Sequence, residues 1–138
     1  MKVVLVNSPL FAKNERYDSE DYLPPIGLGL IATYLKQNNI QVEIIDSVSL
    51  NLSDEELHEI FREKLPDFLG FNIFTTNYEI VKNIVESINF TTHILIGGPA
   101  TKELYPELLK WRSNNRIDIV IGDGEWISTD IVPAAAAN

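Results

Sequence analysis

The chain has 138 residues, a formal net charge of −9 and no cysteine. This length suits one domain with a sizeable core, and the lack of cysteine excludes disulfides, thiolate zinc sites and cysteine-ligated iron–sulfur clusters in these residues. The acidic balance disfavours nucleic acid and no apolar run reaches the roughly 18 residues of a membrane span, so we expect a soluble, cytoplasmic protein without nucleic-acid or membrane partners.

The first half of the chain alternates strand and helix. Val3–Val6 is a short apolar run that is typical of a buried strand. Pro24-Pro25 then introduces Ile26–Lys36, a helical segment that is apolar almost all round and is therefore expected to be buried on more than one side. Val42–Ile45 predicts a second strand, and Ser53-Asp-Glu-Glu56 is a capping box that starts a second helix.

The second half repeats this alternation. Nearly continuous apolar runs at Phe68–Phe74, Ile94–Ile96 and Ile117–Ile121 predict three more strands. Apolar residues at helical spacing lie between them, at Ile80, Val81, Ile84, Val85 and Ile88, and at Leu104, Leu108, Leu109 and Trp111. Because these connections are too long for hairpins, we predict an α/β fold: a doubly wound, flavodoxin-like three-layer sandwich with a parallel sheet of about five strands in the order 2-1-3-4-5.

In such a sheet, ligands bind beyond the carboxyl ends of the strands. Gly97-Gly98 either lets a flat ligand approach the backbone closely or forms a turn that needs positive φ. Thr75, Thr76 and Asn77 either offer polar groups to a ligand or cap the third helix. The segment Gly122-Asp-Gly-Glu125 either meets a ligand through its backbone or is a plain turn.

Other candidate features point to no chemistry of their own. The loop from Asn7 to Pro25 is long enough to be functional or mobile, and its carboxylates are most simply a solvated rim. His58 and His93 lack partners at metal-ligand spacing, so we predict that both are surface residues, with His93 at the end of the sheet away from the ligand. The sequence has no nucleophile elbow, Walker phosphate loop or dinucleotide fingerprint.

Six segments occur in an order and at a spacing that match a known family. They are Val4-Leu-Val-Asn-Ser-Pro9, Leu23-Pro-Pro-Ile-Gly-Leu28, Val42-Glu-Ile-Ile-Asp46, Pro66-Asp-Phe-Leu-Gly-Phe71, Gly97-Gly-Pro99 and Asp118-Ile-Val-Ile-Gly-Asp-Gly-Glu125. Together they resemble the N-terminal cobalamin-binding domain of radical S-adenosylmethionine enzymes, over roughly Met1 to Trp126. The resemblance implies a Rossmann-like domain that holds cobalamin at the strand ends of an enzyme such as a methyltransferase, with no catalytic acid, base or nucleophile in these residues.

The same resemblance implies a set of cofactor-binding positions. They are Pro24, Pro25, Gly27, Asn72, Thr75, Thr76, Asn77, Gly97, Gly98, Pro99, Gly122, Asp123, Gly124 and Glu125. In the family, the paired glycines make room for the nucleotide tail of cobalamin. We therefore expect Gly98→Trp to block the tail while the fold stays intact.

The chain departs from related families in two ways. It lacks the Asp-x-His-x-x-Gly motif of other cobalamin modules, so the resemblance implies a base-off cobalt without a histidine ligand. It also lacks the Cys-x-x-x-Cys-x-x-Cys motif, so S-adenosylmethionine and a 4Fe-4S cluster are expected only in a following C-terminal barrel, the implied partner domain. We expect the domain to span residues 1–127, with 128–138 as a truncated linker or an artificial tail.

Two alternatives remain open on the sequence alone. The first is a cofactor-free docking or substrate-covering domain of the same enzyme class. The second is a free-standing small nucleotide-binding protein. Cobalamin binding distinguishes the main hypothesis from both.

Overall fold

A computed structural model describes residues 1–10 and 26–121 of the chain. The elements in order are β1 (Lys2–Asn7), α1 (Ile26–Gln37), β2 (Gln41–Asp46), α2 (Asp54–Lys64), β3 (Phe68–Asn72), α3 (Tyr78–Glu86), β4 (His93–Gly97), α4 (Thr101–Leu108) and β5 (Ile117–Ile119). The predictions for Pro24, Pro25, Gly122, Asp123, Gly124, Glu125 and the domain boundary after residue 127 lie outside the described residues.

The five strands form one parallel sheet in the order β2-β1-β3-β4-β5, which confirms the predicted topology. The ranges predicted for β3 and β5, Phe68–Phe74 and Ile117–Ile121, are each two residues too long. Ile73 and Val120 are buried, and their backbone nitrogens still bond Gly97 and Ile96 at 2.8 Å, but no strand pairing follows them. An apolar run reports burial, which here continues past the end of strand pairing.

The sheet has an apolar layer on each face. Side chains alternate along a strand, so Val4 and Val6 of β1 pack on the face covered by α2, α3 and α4, whereas Val3 and Leu5 pack on the face covered by α1. The sequence therefore reads as a continuous apolar run at each central strand because both of its faces are covered. This three-layer arrangement leaves the carboxyl ends of the strands as a common edge.

The burial predicted for α1 is wrong in the described part of the chain. Leu28, Ala32 and Leu35 face the sheet, but Ile26 is 72% exposed and Leu30 is 50% exposed. The helix lies on one face of the sheet, so a single stripe is buried although nearly all of its residues are apolar. Among the described helices, none has both the length and the apolar character needed to cross a membrane.

The capping box predicted for α2 is confirmed. The Ser53 hydroxyl accepts a hydrogen bond from the Glu56 backbone nitrogen at 3.1 Å, and the Glu56 carboxylate accepts one from the Ser53 nitrogen at 3.2 Å. At the other end, Lys64 Nζ lies 2.6 Å from Glu43 Oε2 on β2, and this bond lowers the pKa of Glu43 below its usual value. The start of α2 is thus capped within its own first turn, and its end is tied to β2 through Glu43.

Candidate ligand site at the carboxyl ends of the strands

The order of the sheet places a topological switch point between β1 and β3. The chain passes from β1 to β2 on one side and then to β3 on the other, and α1 and α3 pack on opposite faces of the sheet. In open parallel sheets, the crevice at this point is where ligands bind. We call the described residues at this edge the strand-end surface: residues 7–10, 46–53, 72–77, 97–101 and 120–121.

Three neighbouring strands are joined here by a chain of side-chain hydrogen bonds. Asn7 Nδ2 donates to Asp46 Oδ1 at 2.9 Å, and Asn72 Nδ2 donates to Asn7 Oδ1 at 2.9 Å. The Ser8 backbone nitrogen donates to Asn72 Oδ1 at 2.7 Å. We call Asp46, Asn7 and Asn72 the amide ladder.

Sequence reasoning found Asn72 but missed Asn7 and Asp46. All three are polar residues that close apolar strands, and Asn7 and Asp46 are register partners in the β1–β2 pair. Asn7 and Asp46 each directly follow a predicted strand, Val3–Val6 and Val42–Ile45, so their positions in the sequence could have indicated both. Their contacts depend on the register, which the sequence alone does not state.

The two glycines after β4 have different surroundings. Gly98 has φ +111°, and a Cβ there would lie 2.7 Å from the Ile73 oxygen and 2.8 Å from the Ile73 nitrogen. The turn therefore requires glycine at this position, and the expectation that Gly98→Trp leaves the fold intact is wrong. A Cβ on Gly97 would meet only the Val120 Cβ, at an ordinary 4.0 Å, so Gly97 has room for a Cβ.

The residues after β3 divide into an exposed pair and a buried anchor. Thr75, Thr76 and Asn77 form a short 3-10 turn, in which both threonines are exposed. The fully buried Asn77 amide donates to the Pro9 oxygen at 3.1 Å and accepts from the Phe74 nitrogen at 2.7 Å. Its side chain thus ties the loops after β1 and β3 together and does not cap α3, whose first turn receives no side-chain cap from Asn77.

Two further predicted positions within the described residues, Gly27 and Pro99, are exposed. Gly27 lies at the start of α1 with nothing within 4 Å of a Cβ built on it, and Pro99 is exposed beside the glycines. The Thr101 hydroxyl contacts the Gly98 oxygen at 2.9 Å and the Val120 oxygen at 3.2 Å. This hydroxyl, which the sequence analysis did not single out, fixes the glycine turn against the end of β5.

Ser8 provides a test for a missing ligand. Its side chain is fully buried, and its hydroxyl has no hydrogen-bond partner within the described structure. A buried hydroxyl without a partner is unfavourable, so such a group is normally satisfied by water or a ligand. The described residues of the strand-end surface include no Lys or Arg and one carboxylate, Asp46, so this surface is not a phosphate-binding cluster. Its other polar groups are neutral amides, hydroxyls and backbone.

The prediction that His93 is a surface residue is wrong. Its side chain is 12% exposed, its Nε2 lies 2.5 Å from Asp118 Oδ2, and its ring lies 4.8 Å from that of Phe68. Arg116 Nε lies 3.2 Å from the same carboxylate oxygen. His93 begins β4, so this cluster lies at the opposite end of the sheet from the strand-end surface, as the sequence predicted.

His58 is also not a free surface residue. It is half-buried on α2, with its ring packed edge-on against Phe61 at 6.0 Å. This burial lowers the pKa of His58 below its usual value, and the nearby Arg62 guanidinium lowers it further. Within the described ranges, no group of three His, Cys, Asp or Glu side chains is arranged to hold a metal ion.

Comparison with known proteins gives one family and several structures. A family model described as "B12 binding domain" matches residues 18–132. No curated protein sequence matches the chain. The radical S-adenosylmethionine methyltransferase TsrM from Kitasatospora setae is similar in two structures, with TM-scores of 0.73 and 0.76 and identities of 19% and 18%. The first holds a tryptophan substrate and the analogue aza-SAM, and the second holds cobalamin and a [4Fe-4S] cluster.

A second enzyme gives a similar match. OxsB, a cobalamin-dependent S-adenosylmethionine radical enzyme solved with aqua-cobalamin and S-adenosylmethionine, has a TM-score of 0.77 at 18% identity. At such identities the likeness shows a shared fold. The alignments cover 99% of this chain but 26%, 24% and 19% of the three matched chains, so this chain spans about a quarter of their length or less.

Proposed function

The chain belongs to the B12-binding domain family, and from this membership we propose that it binds cobalamin at its strand-end surface, base-off and without a histidine ligand to cobalt. The observation that carries the proposal is the family match itself, because residues 18–132 include every described element from α1 to β5.

The residues present fit such a cofactor. Cobalamin is large and carries neutral carboxamides around its corrin ring, so the neutral amides, hydroxyls and exposed backbone of the strand-end surface are complementary to it. The unpartnered Ser8 hydroxyl is a group that a cofactor amide would satisfy. Gly97, with no side chain and an open position for a Cβ, leaves space for the nucleotide tail.

The surroundings of the two histidines support the absence of a histidine ligand. The chain contains two histidines. His93 starts β4, about 13 Å of strand away from Gly97 at the observed five-residue length, and its Nε2 is held by Asp118. The His58 ring is packed against Phe61 on α2. His93 lies away from the strand ends and the His58 ring contacts a residue of its own helix, so we propose neither as a ligand to cobalt.

Binding and orientation would be the contribution of this domain. When bound, cobalamin supplies the group-transfer chemistry. Asn72, Ser8 and the glycines after β4 would hold the corrin and its tail, and Thr75 and Thr76 would present hydroxyls at the same edge. No described residue is proposed to exchange a proton with a substrate.

The surrounding enzyme is part of the proposal. We propose that residues 1–127 form the N-terminal domain of a radical S-adenosylmethionine enzyme of the methyltransferase type, followed by a linker and a catalytic barrel that holds S-adenosylmethionine and a 4Fe-4S cluster. The matched TsrM and OxsB structures are radical enzymes of this kind, which supports the assignment. The gene should then encode Cys-x-x-x-Cys-x-x-Cys beyond Asn138, and a stop codon directly after Asn138 would contradict it.

Titration of the purified 138-residue chain with hydroxocobalamin tests the binding proposal. We expect a saturable change in visible absorption at tens of micromolar. After reduction to Co(II), the electron paramagnetic resonance spectrum should lack the nitrogen splitting that an axial nitrogen ligand causes. His58→Ala and His93→Ala should leave that spectrum unchanged. Absence of any binding would overturn the proposal and favour the cofactor-free docking domain.

A further inference from the structure

The amide ladder has a fixed direction. An ionised carboxylate can only accept hydrogen bonds, so Asp46 Oδ1, which also accepts from the Ser49 nitrogen at 3.1 Å, sets the orientation of Asn7. At the other end, a backbone N–H can only donate, so the Ser8 nitrogen sets the orientation of Asn72. Flipping either amide would place two acceptors or two donors opposite each other, so a single arrangement satisfies both ends.

This direction leaves one hydrogen available on each of the two amides. Each amide nitrogen carries two hydrogens, and the ladder uses one from Asn7 and one from Asn72. Each residue therefore keeps one N–H that meets no acceptor in the part of the chain that is described. Both side chains are partly exposed and lie at the switch point between β1 and β3. The ladder thus presents two donors to whatever occupies the crevice.

The donors are held in place before any ligand arrives. The backbone oxygen of Asn7 accepts hydrogen bonds from the nitrogen of Ser47, at 3.2 Å, and from its hydroxyl. Asn7 and Asp46 are also register partners in adjacent strands. A group that is already ordered loses little conformational entropy on binding, so its hydrogen bonds contribute more to affinity.

The charge of Asp46 sets a preference among acceptors. The described strand-end residues include no Lys or Arg to offset this carboxylate. A ligand carboxylate at the ladder would therefore meet an unbalanced like charge, whereas the carbonyl oxygen of a neutral amide would accept the same hydrogen bonds without that repulsion.

We propose that Asn7 and Asn72 form a subsite for a peripheral carboxamide of the corrin ring, and that Asp46 is a positioning residue which orients both donors and rejects a carboxylate at this place. This inference rests on the proposed cobalamin binding. It gives a binding role to Asn7 and Asp46, which had no role from the sequence. It also gives the amide ladder a preference for a neutral amide over a carboxylate.

Variants of the ladder test the donors. Asn7→Leu and Asn72→Leu each remove one free N–H, and we expect each to raise the Kd for hydroxocobalamin about fivefold to tenfold, the loss expected for one hydrogen bond. Asn89→Leu, an exposed amide between α3 and β4 at the other end of the sheet, is the matched control and should leave the Kd unchanged. Circular dichroism identifies variants that fold as the wild type does.

The ligand itself supplies a test that needs no variant. Monocarboxylic acids of cobalamin, each with one peripheral amide hydrolysed, are compared with the parent on the wild-type chain. At least one isomer should bind about tenfold more weakly. Asp46→Asn keeps an acceptor oxygen for Asn7 but removes the negative charge, so the difference in Kd between the parent and that isomer should become smaller, a change that a merely structural role of Asp46 would not cause.

The outcomes separate this inference from the proposed function. If the wild-type chain binds no hydroxocobalamin, the proposed function fails and the subsite with it. If it binds, but every monocarboxylic acid binds as tightly as the parent, or both folded leucine variants bind as tightly as wild type, the subsite is overturned while the function stands.

Discussion

At the scale of single residues, the two adjacent glycines after β4 differ in whether the fold tolerates a Cβ at their positions. Gly98 has a positive φ and a Cβ on it would clash with the Ile73 backbone, so Gly98→Ala should lower the free energy of unfolding by about 1–3 kcal/mol. Gly97→Ala adds a methyl at ordinary contact distance, so its effect should stay within about 0.5 kcal/mol. Urea unfolding followed by circular dichroism measures both.

The same pair separates folding from binding. Gly97→Leu should remain folded and weaken hydroxocobalamin binding, because its side chain would enter the space that we propose for the tail. It replaces Gly98→Trp as the test of that space. Equal stability of Gly98→Ala and wild type would show that the turn does not need glycine, and unchanged binding by Gly97→Leu would place the tail elsewhere.

A site residue could be predicted from the sequence only where a short pattern of neighbouring residues marks it. Asn72 and the glycines lie in short patterns at the ends of recognisable strands. The bond between Asn7 and Asp46 joins residues 39 positions apart, and it exists only because β1 and β2 pair in parallel at one register. A shift of one residue would move either side chain to the other face of the sheet.

At the scale of elements, α1 contains a matched pair of leucines that tests its one-sided burial. Leu35 is fully buried against the sheet and Leu30 is half exposed. Leu35→Ala should cost about 2–5 kcal/mol of unfolding free energy, because it leaves a cavity. Leu30→Ala should cost less than about 1 kcal/mol. Similar losses at both positions, measured by urea unfolding, would mean that Leu30 is also packed in solution.

The elements show where periodicity is informative. The capping box of α2 predicted its start because the two side chains satisfy backbone groups within the same turn. Helix α1 gave no such guidance about its faces, since a helix that is apolar all round has no stripe that marks the buried side. Its position on one face of the sheet became clear only from the packing of Leu28, Ala32 and Leu35.

At the scale of the whole molecule, strand order was predictable because parallel crossovers are right-handed and short. The alternation of strand and helix then leaves few topologies, and the observed order 2-1-3-4-5 is one of them. The two apolar layers on opposite faces of one sheet include side chains from every strand. We therefore expect the 138-residue chain to unfold in a single cooperative transition.

Cooperative unfolding makes ligand binding measurable as stability of the whole chain. A cofactor held across β1, β3 and β4 binds only the folded sheet, so hydroxocobalamin at one hundred times its Kd should raise the unfolding free energy by about 2.7 kcal/mol. At the same concentration, a tenfold weaker variant such as Asn72→Leu should gain only about 1.4 kcal/mol by the same relation. Urea unfolding with and without ligand measures both increments. A spectral change on adding hydroxocobalamin without any increase in stability would mean that the cofactor binds the unfolded chain equally well, and would contradict a site built from the ends of three strands.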